Sequence, residues 1–433
     1  MQNKLIIVTF ISLFSFAFTA FGQIKIDSPY SRFNLGTLQA QGSFRSLGMG
    51  GVGTAIRDNN SIYFTNPASY SSLDTISFNF DFGLNYGSNI IGEGASKFSS
   101  NDMDFHHLII GFPLSKRWGF VTGIVPVTSG YYQITQTVTS TDPAYDPNIG
   151  EYTADHSGDG GITKFFLGTG LQIGKHFSVG ANVSFISGQI TRDNSFVFSD
   201  YYNVFNNKSE EKLVLKGINF DYGLQYTTSF KNNYFLTIGA SINTGNNYST
   251  KYSQLSVKYT AYGISDTMSY VSNNSTKTFI PATYRFGISF GKKNKFTTGL
   301  DYVTTKWSTS IIPGSTGYAA DTRELLIGAE YIPDKYSNYS YASRVEYRIG
   351  GHIGDNYLII NGEQLKEYGG SVGFGLPLRV VQGNPYSNSK MNLFFDFTRR
   401  IGSAANNLHN EDMFTVGLSL NLYDFWFLKR KYD

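Results

Sequence analysis

The chain of 433 residues has no cysteine. Disulfides, thiolate metal sites and a lipid-anchored cysteine are therefore excluded. Charge is also scarce: Asp, Glu, Lys and Arg make up 15% of the residues, where soluble domains carry about 25%. The formal net charge is +3. No basic run occurs except "LKRKYD" at the C-terminus, so a nucleic-acid footprint is missing. Beyond the first residues no apolar run approaches the ~20 residues of a membrane-spanning helix. If the mature chain crosses a membrane, it must do so as a closed barrel. Aromatics are plentiful: they reach 16%, carried by 36 Phe and 31 Tyr against only 3 Trp.

The N-terminus reads "MQNKLIIVTFISLFSFAFTAFGQ". Lys4 supplies a positive start, residues 5–18 an apolar stretch, and "TAFG" a small-residue site. This pattern predicts a secretory signal over residues 1–22, cleaved after Gly22. The alternative, an N-terminal anchor, fits less well because Thr and Ser interrupt a run that is short for a bilayer.

Period-two alternation dominates the mature chain. In "TISFNFDFGLNYG", Ile76, Phe78, Phe80, Phe82, Leu84 and Tyr86 share one face, and Ser77, Asn79, Asp81, Gly83 and Asn85 the other. The pattern recurs to the end of the chain and predicts strands at 75–87, 103–113, 118–128, 162–173, 177–190, 214–230, 234–246, 277–290, 295–307, 322–333, 341–353, 367–379, 390–401 and 412–426. Short connections (114–117, 174–176, 231–233, 291–294) alternate with long ones (129–161, 191–213, 247–276, 308–321). That rhythm is the anatomy of an outer-membrane barrel, with turns in the periplasm and loops outside. A β-sandwich or propeller also alternates, but with shorter strands and without this rhythm. Trp118, Trp307, Trp426 and the tyrosines between 331 and 347 are candidate interfacial girdles. The expected fold is all-β: a transmembrane antiparallel barrel of about 14 strands over residues 74–433. Residues 23–73 lack sustained alternation, and a segment of that size can fold into the lumen as a hatch.

Within that segment, "RSLGMGGVGTAIRDNN" contains a literal G-x-G-x-x-G at Gly48, Gly50 and Gly53, and Asp74 follows about 20 residues on. A dinucleotide site also needs a buried strand before the glycines and a helix after them. "AQGSFRS" is not such a strand, Asp58-Asn59-Asn60 favours a turn, and no second βαβ unit is present downstream. The glycines instead suit a tight turn packed close to a wall. His106 and His107 are adjacent and, in a regular strand, face opposite sides. His156, His176, His352 and His409 share no ligand spacing. No G-x-S-x-G or H-E-x-x-H motif is present. The expectation is a non-enzyme without metal or cofactor.

The run "LGMGGVGTAIRDNNSIYFTNPASYSSLD" resembles the N-terminal hatch of the FadL-like family of outer-membrane proteins. The shared pattern is a glycine-rich turn (Gly48, Gly50, Gly53), then Arg57-Asp58, then Asn66-Pro67-Ala68 just before the first barrel strand. The resemblance implies a 14-stranded barrel in the outer membrane of a Gram-negative cell, plugged by its N-terminus and inserted by the barrel-assembly machinery. It further implies passive uptake of small hydrophobic molecules such as long-chain fatty acids, which leave sideways at a kinked third strand. Pro126, flanked by Gly123 and Gly130, is the candidate kink, because proline cannot donate a ladder hydrogen bond. Its bland reading is a proline tolerated near a strand end. Uptake predicts an apolar pocket near 129–161 and 191–213.

The family also includes a branch like the type IX secretion barrel PorV, and other members look like accessory barrels. Two features lean that way and keep open a second function, a non-enzymatic partner barrel in a protein-secretion or barrel-assembly complex. The predicted lumen face carries Asp81, Asp221, Arg285, Asp301, Glu324, Glu330, Arg344, Glu346, Arg348 and Asp396, which could pair with the hatch, although polar lumens are common in such barrels. Also, "NLYDFWF" is followed by "LKRKYD", where many such barrels end on an aromatic residue. A water-filled porin is the third reading, disfavoured by the hatch.

Overall fold

The computed structural model describes residues 28–75, 77–92, 97–143, 145–198, 205–260, 265–315, 318–378, 389–402 and 408–425. The expected signal segment at residues 1–22, Trp426 and the "LKRKYD" tail lie outside them.

The barrel strands are β1 Ser77–Ile91, β2 Phe98–Ser115, β3 Trp118–Ser129 with its continuation Tyr132–Val138, β4 Tyr152–Ile173, β5 Phe177–Phe198, β6 Asn206–Ser229 and β7 Tyr234–Asn243 with its continuation Asn246–Tyr259. They continue with β8 Ser265–Ile280 and Thr283–Lys292, β9 Phe296–Thr305, β10 Thr322–Tyr331, β11 Glu346–Ile360, β12 Glu363–Pro377, β13 Lys390–Ile401 and β14 Glu411–Phe425. Each pairs antiparallel with the next, and β14 closes on β1 from Phe425↔Ser77 to Glu411↔Ile91. The result is a closed 14-stranded barrel, one strand for each predicted segment.

The alternation explains why the sheet closes. On β10, Thr322, Leu326, Gly328 and Glu330 are buried inside, while Leu325, Ile327 and Tyr331 are exposed outside. An apolar outer wall is stable only where the solvent is lipid, and closure removes every unpaired edge from the bilayer. No described helix is long and apolar enough to cross a membrane.

Three of the expected long loops are largely sheet. Tyr132–Val138 pairs with residues 152–158 of β4, β5 pairs with β6 as far as Phe196↔Asn207, and Asn246–Tyr259 pairs with the upper part of β8. Beyond the bilayer both faces of a hairpin meet water, so the apolar alternation fades while the backbone ladder continues. The rhythm of connections also inverts late in the chain. β11 and β12 join through Asn361 (φ 52°) and Gly362 (φ 81°), the positive-φ pair of a tight hairpin turn. The periplasmic connection 332–345 is long and carries a helix, Tyr341–Arg344. Trp118 is exposed at the periplasmic rim, as a girdle residue should be, but Trp307 is buried inside against Tyr357, with ring centroids 4.8 Å apart.

Candidate functional site

The hatch descends the lumen from the extracellular end. Tyr30 donates its hydroxyl to the carbonyl of His409, in the β13–β14 connection, at 2.7 Å. Thr37–Leu38 forms a two-residue strand, Phe44–Leu47 a helix turn capped by Ser43, and Pro67–Ser72 a 3-10 turn capped by Asn66. Ser77 then opens β1 at the periplasmic rim.

The glycine turn lies against bare backbone. Gly50 has φ 69°, a conformation suited to glycine. A Cβ on Gly350 would stand 2.1 Å from the Gly50 nitrogen, and one on Gly328 would stand 2.1 Å from the Met49 oxygen. Hatch and wall glycines are thus complementary: each lets the other backbone approach. Ser371 Oγ accepts the Gly50 N–H at 2.9 Å. The Asp301 carboxylate accepts the N–H groups of Gly53 and Thr54, both at 2.8 Å. A glycine-rich turn that in other proteins cradles a phosphate here holds a carboxylate of its own barrel.

Beside the turn runs a buried chain of alternating charge. Arg45 grips Glu330 with two bonds of 2.9 and 2.6 Å and meets Asp58 at 2.7 Å. Glu330 also accepts from Arg348 at 2.7 Å; Arg348 pairs with Glu346, and Glu346 with Lys390 at 2.8 Å. Burial disfavours a charge on Asp58, but Arg45 outweighs this and, with Lys390 and Lys335, holds its carboxyl well below the usual carboxylate range. Arg57, the other half of the predicted pair, has no carboxylate partner among the described residues. It donates to Gln225 Oε1 at 2.9 Å and Ser71 Oγ at 3.1 Å, and burial pushes its guanidinium down to about 10.

Asn66 is buried and pins the hatch to two strands. Its amide donates to the carbonyls of Thr54 (2.7 Å), Ala240 (3.3 Å) and Leu224 (3.4 Å), while its oxygen accepts the Ala68 N–H at 3.1 Å. Pro67 lies against Gly180, where a Cβ would come within 2.3 Å of the proline carbonyl carbon.

The remaining lumen residues divide. Asp221 belongs to a wall network with Asn182 at 3.0 Å and Asn243, away from the glycine turn. Arg285 faces inward on β8. Asp396 accepts from Thr398 at 2.7 Å. Arg344 is not in the lumen. It ends the periplasmic helix and donates to the Ser337 carbonyl at 2.9 Å, because β11 begins only at Glu346. Arg45 is a site residue that the sequence motifs did not single out. Its signal was present: one cation just before the glycine turn, with an acidic lumen face opposite.

The pairing of the third strand changes near Pro126. The β2–β3 ladder ends at Leu108↔Ile124, and a register shift comes after Pro126 in the β3–β4 pairing. Pro126 has no N–H to offer, and its carbonyl accepts from the Gln41 side chain at 3.1 Å. The hatch takes over the vacated edge: Thr37 pairs with Ser129, Leu38 with Thr128, and Gln39 N–H donates to the Val127 carbonyl at 2.9 Å. On the other side of the gap, His106 Nε2 meets the Ala40 carbonyl at 3.1 Å. Residues 37–41 therefore bridge β2 and β3. Gly123 and Gly130 flank the break, and Gly130 N–H donates to the Gly160 carbonyl at 2.8 Å.

His106 and His107 do not face opposite sides. The pairing Gly83↔His107 and Leu84↔Phe105 skips His106, a β-bulge that turns both rings inward with their Nδ1 atoms 2.8 Å apart. His107 Nε2 lies 3.4 Å from Asp81 Oδ1. No cluster of three or more metal-ligating side chains occurs among the described residues.

One of the stretches expected to line an apolar pocket is packed at its end. Leu213 is buried in one cluster with Ile190 on the neighbouring strand, with Tyr30 and Leu35 of the hatch and with Trp307 and Tyr357.

A closed apolar-walled barrel with its own N-terminal segment sealed into the lumen defines a hatch-plugged outer-membrane β-barrel. The chain belongs to the BamG family, whose model matches residues 1–433. No curated protein matches it. Among solved structures, it is similar to the toluene transporter TodX of Pseudomonas putida (13% identity, 90% of this chain, 99% of that one, TM-score 0.59). It is also similar to a FadL homologue of Pseudomonas aeruginosa (12%, 90% and 99%, 0.56) and to the toluene transporter TbuX of Ralstonia pickettii (14%, 89% and 99%, 0.55). Likeness at these identities establishes the shared FadL-type fold.

Proposed function

We propose that this barrel passes small hydrophobic molecules passively into or across the outer membrane, with the β2–β3 gap as the side door and residues 37–41 as its cover. The break in the ladder carries this reading. Inside it lies the two-residue hatch strand, held by a few bonds rather than a full sheet. Outside it, an apolar groove of about 500 Å³ starts at Leu108 and Ile124 and runs past Ile110, Phe165 and Leu167. A molecule leaving the lumen there meets hydrocarbon throughout. Toluene and hydrocarbon transport by barrels of the same fold supports the reading; nothing in the site selects a long-chain fatty acid. No reacting constellation is needed, and the proposed activity is transport rather than catalysis.

The packed cluster of Tyr30, Leu35, Trp307 and Tyr357 favours a second reading, a non-enzymatic partner barrel in an outer-membrane secretion or barrel-assembly complex. A tagged copy purified from outer membranes separates the two. Recovery alone, with loss of hydrophobic-compound uptake in the deletion strain, supports the first. Stoichiometric recovery with other outer-membrane proteins and unchanged uptake supports the second.

A further inference from the structure

The outer wall carries a feature that transport does not use. Along one row of the sheet, the outward residues are Phe290 on β8, Thr298 on β9, Ala329 on β10 and Ile349 on β11. The small pair in the middle leaves a groove between Phe290 and Ile349, three strand spacings or about 14 Å across. Its volume is about 720 Å³, with Leu300 and Ile327 above and the backbone of Gly328, Gly350 and Gly351 exposed in its floor. That floor is the outer side of the wall on which the hatch glycine turn rests. At this point little but backbone separates hatch from hydrocarbon.

The next outward row toward the periplasm is an aromatic girdle interrupted by a cation: Tyr234, Lys292, Phe296, Tyr331 and Tyr347. Lys292 Nζ stands 5.3 Å from the Tyr234 ring, and Lys295 Nζ stands 5.3 Å from the Tyr331 ring. With Lys293 in the same turn, three lysines lie at the foot of the groove, at headgroup depth, and Lys295 Nζ also donates to the Pro333 carbonyl at 2.5 Å. Among the described residues none of the three is paired with a carboxylate.

We propose that this groove binds an anionic phospholipid of the periplasmic leaflet, its acyl chains over Thr298 and Ala329 and its headgroup on Lys292, Lys293 and Lys295. Charge complementarity chooses the occupant. Another barrel wall could cover the small residues but would leave three cations facing its own girdle. A phospholipid satisfies both ends, and each nearby lysine adds attraction for an anionic headgroup.

The test uses the full-length protein in detergent, titrated with phosphatidylglycerol or phosphatidylethanolamine and read by native mass spectrometry. Heat-modifiable gel mobility confirms folding. The wild type should retain phosphatidylglycerol about tenfold better. Lys292→Gln/Lys293→Gln/Lys295→Gln should erase that preference, and Ala329→Trp, which fills the groove, should release both lipids. The lysine variant, altered only at the periplasmic end of β8 and in the turn that follows it, decides the matter if Ala329→Trp does not insert. Equal retention of the two lipids by the wild type, unchanged preference in the lysine variant, or loss of a bound protein rather than a lipid on Ala329→Trp would overturn the proposal.

Discussion

Asp301 holds Gly53: the barrel carboxylate accepts the hatch amide at 2.8 Å and takes the Thr54 amide at the same distance. Charge-assisted bonds of this kind contribute roughly 1.5–3 kcal/mol each. Asp301→Ala should therefore leave two buried amides without an acceptor and loosen the hatch by ~3 kcal/mol. A lower unfolding midpoint by heat-modifiable mobility, together with brief openings in planar bilayers that the wild type lacks, is the expected result.

Arg45 is the link between hatch and wall in the buried charge chain. Removing it leaves Glu330 and Asp58 without their shared cation, a loss of about 3–5 kcal/mol for a broken buried pair. Arg45→Met should lower the unfolding midpoint sharply. Arg45→Lys should recover only part, because an ammonium cannot reproduce the two-pronged grip on Glu330. Equal midpoints for wild type and Arg45→Met would show that the network adds nothing to seating.

The wall glycines make a steric prediction. Gly350→Val places a branched side chain where the Gly50 nitrogen lies, and its Cβ alone would be 2.1 Å away. The hatch should fail to seat, giving a conducting or unfolded barrel. Gly351→Ala is the control: its Cβ meets nothing closer than the Gly369 carbonyl at 3.4 Å. It should behave as wild type in the same bilayer recording.

Acid should act late. The folded Asp58 carboxyl titrates below its ordinary value of 3.8. Its contribution to seating is therefore complete above that value and is lost as the pH falls below it. Conductance should stay flat from pH 8 to pH 5 and begin to rise only below about pH 4. Asp58→Asn should show the loosened state already at neutral pH. A wild-type barrel that opens between pH 7 and pH 5 would contradict this assignment.

The barrel was legible because lipid and lumen impose opposite chemistry on alternate residues, and that repeats in all fourteen strands. A break in the pattern before the first strand was legible for the converse reason, the absence of alternation. The extended hairpins were not, because water on both faces removes the pattern without removing the ladder. Arg344 was misplaced by the same limit: alternation cannot locate where a strand starts when a helix such as Tyr341–Arg344 precedes it. The facing of His106 and His107 was hidden because a bulge is a change of register, and register belongs to the pairing of β1 with β2 rather than to either sequence alone. The partner of the glycine turn was equally hidden, since Asp301 lies 248 residues from Gly53.

The proposed side door can be locked directly. Thr37 on the hatch strand and Ser129 on β3 are register partners where the hatch covers the gap, and neither hydroxyl has a hydrogen-bond partner among the described residues. Opposed antiparallel residues have Cα atoms about 4.5–5.5 Å apart, within disulfide reach. The chain has no cysteine of its own, so Thr37→Cys/Ser129→Cys forms the only disulfide available. Uptake of a labelled monoaromatic hydrocarbon by cells carrying this variant should fall to the deletion level when oxidised and return on reduction. Uptake that is the same in both redox states would contradict passage through the β2–β3 gap.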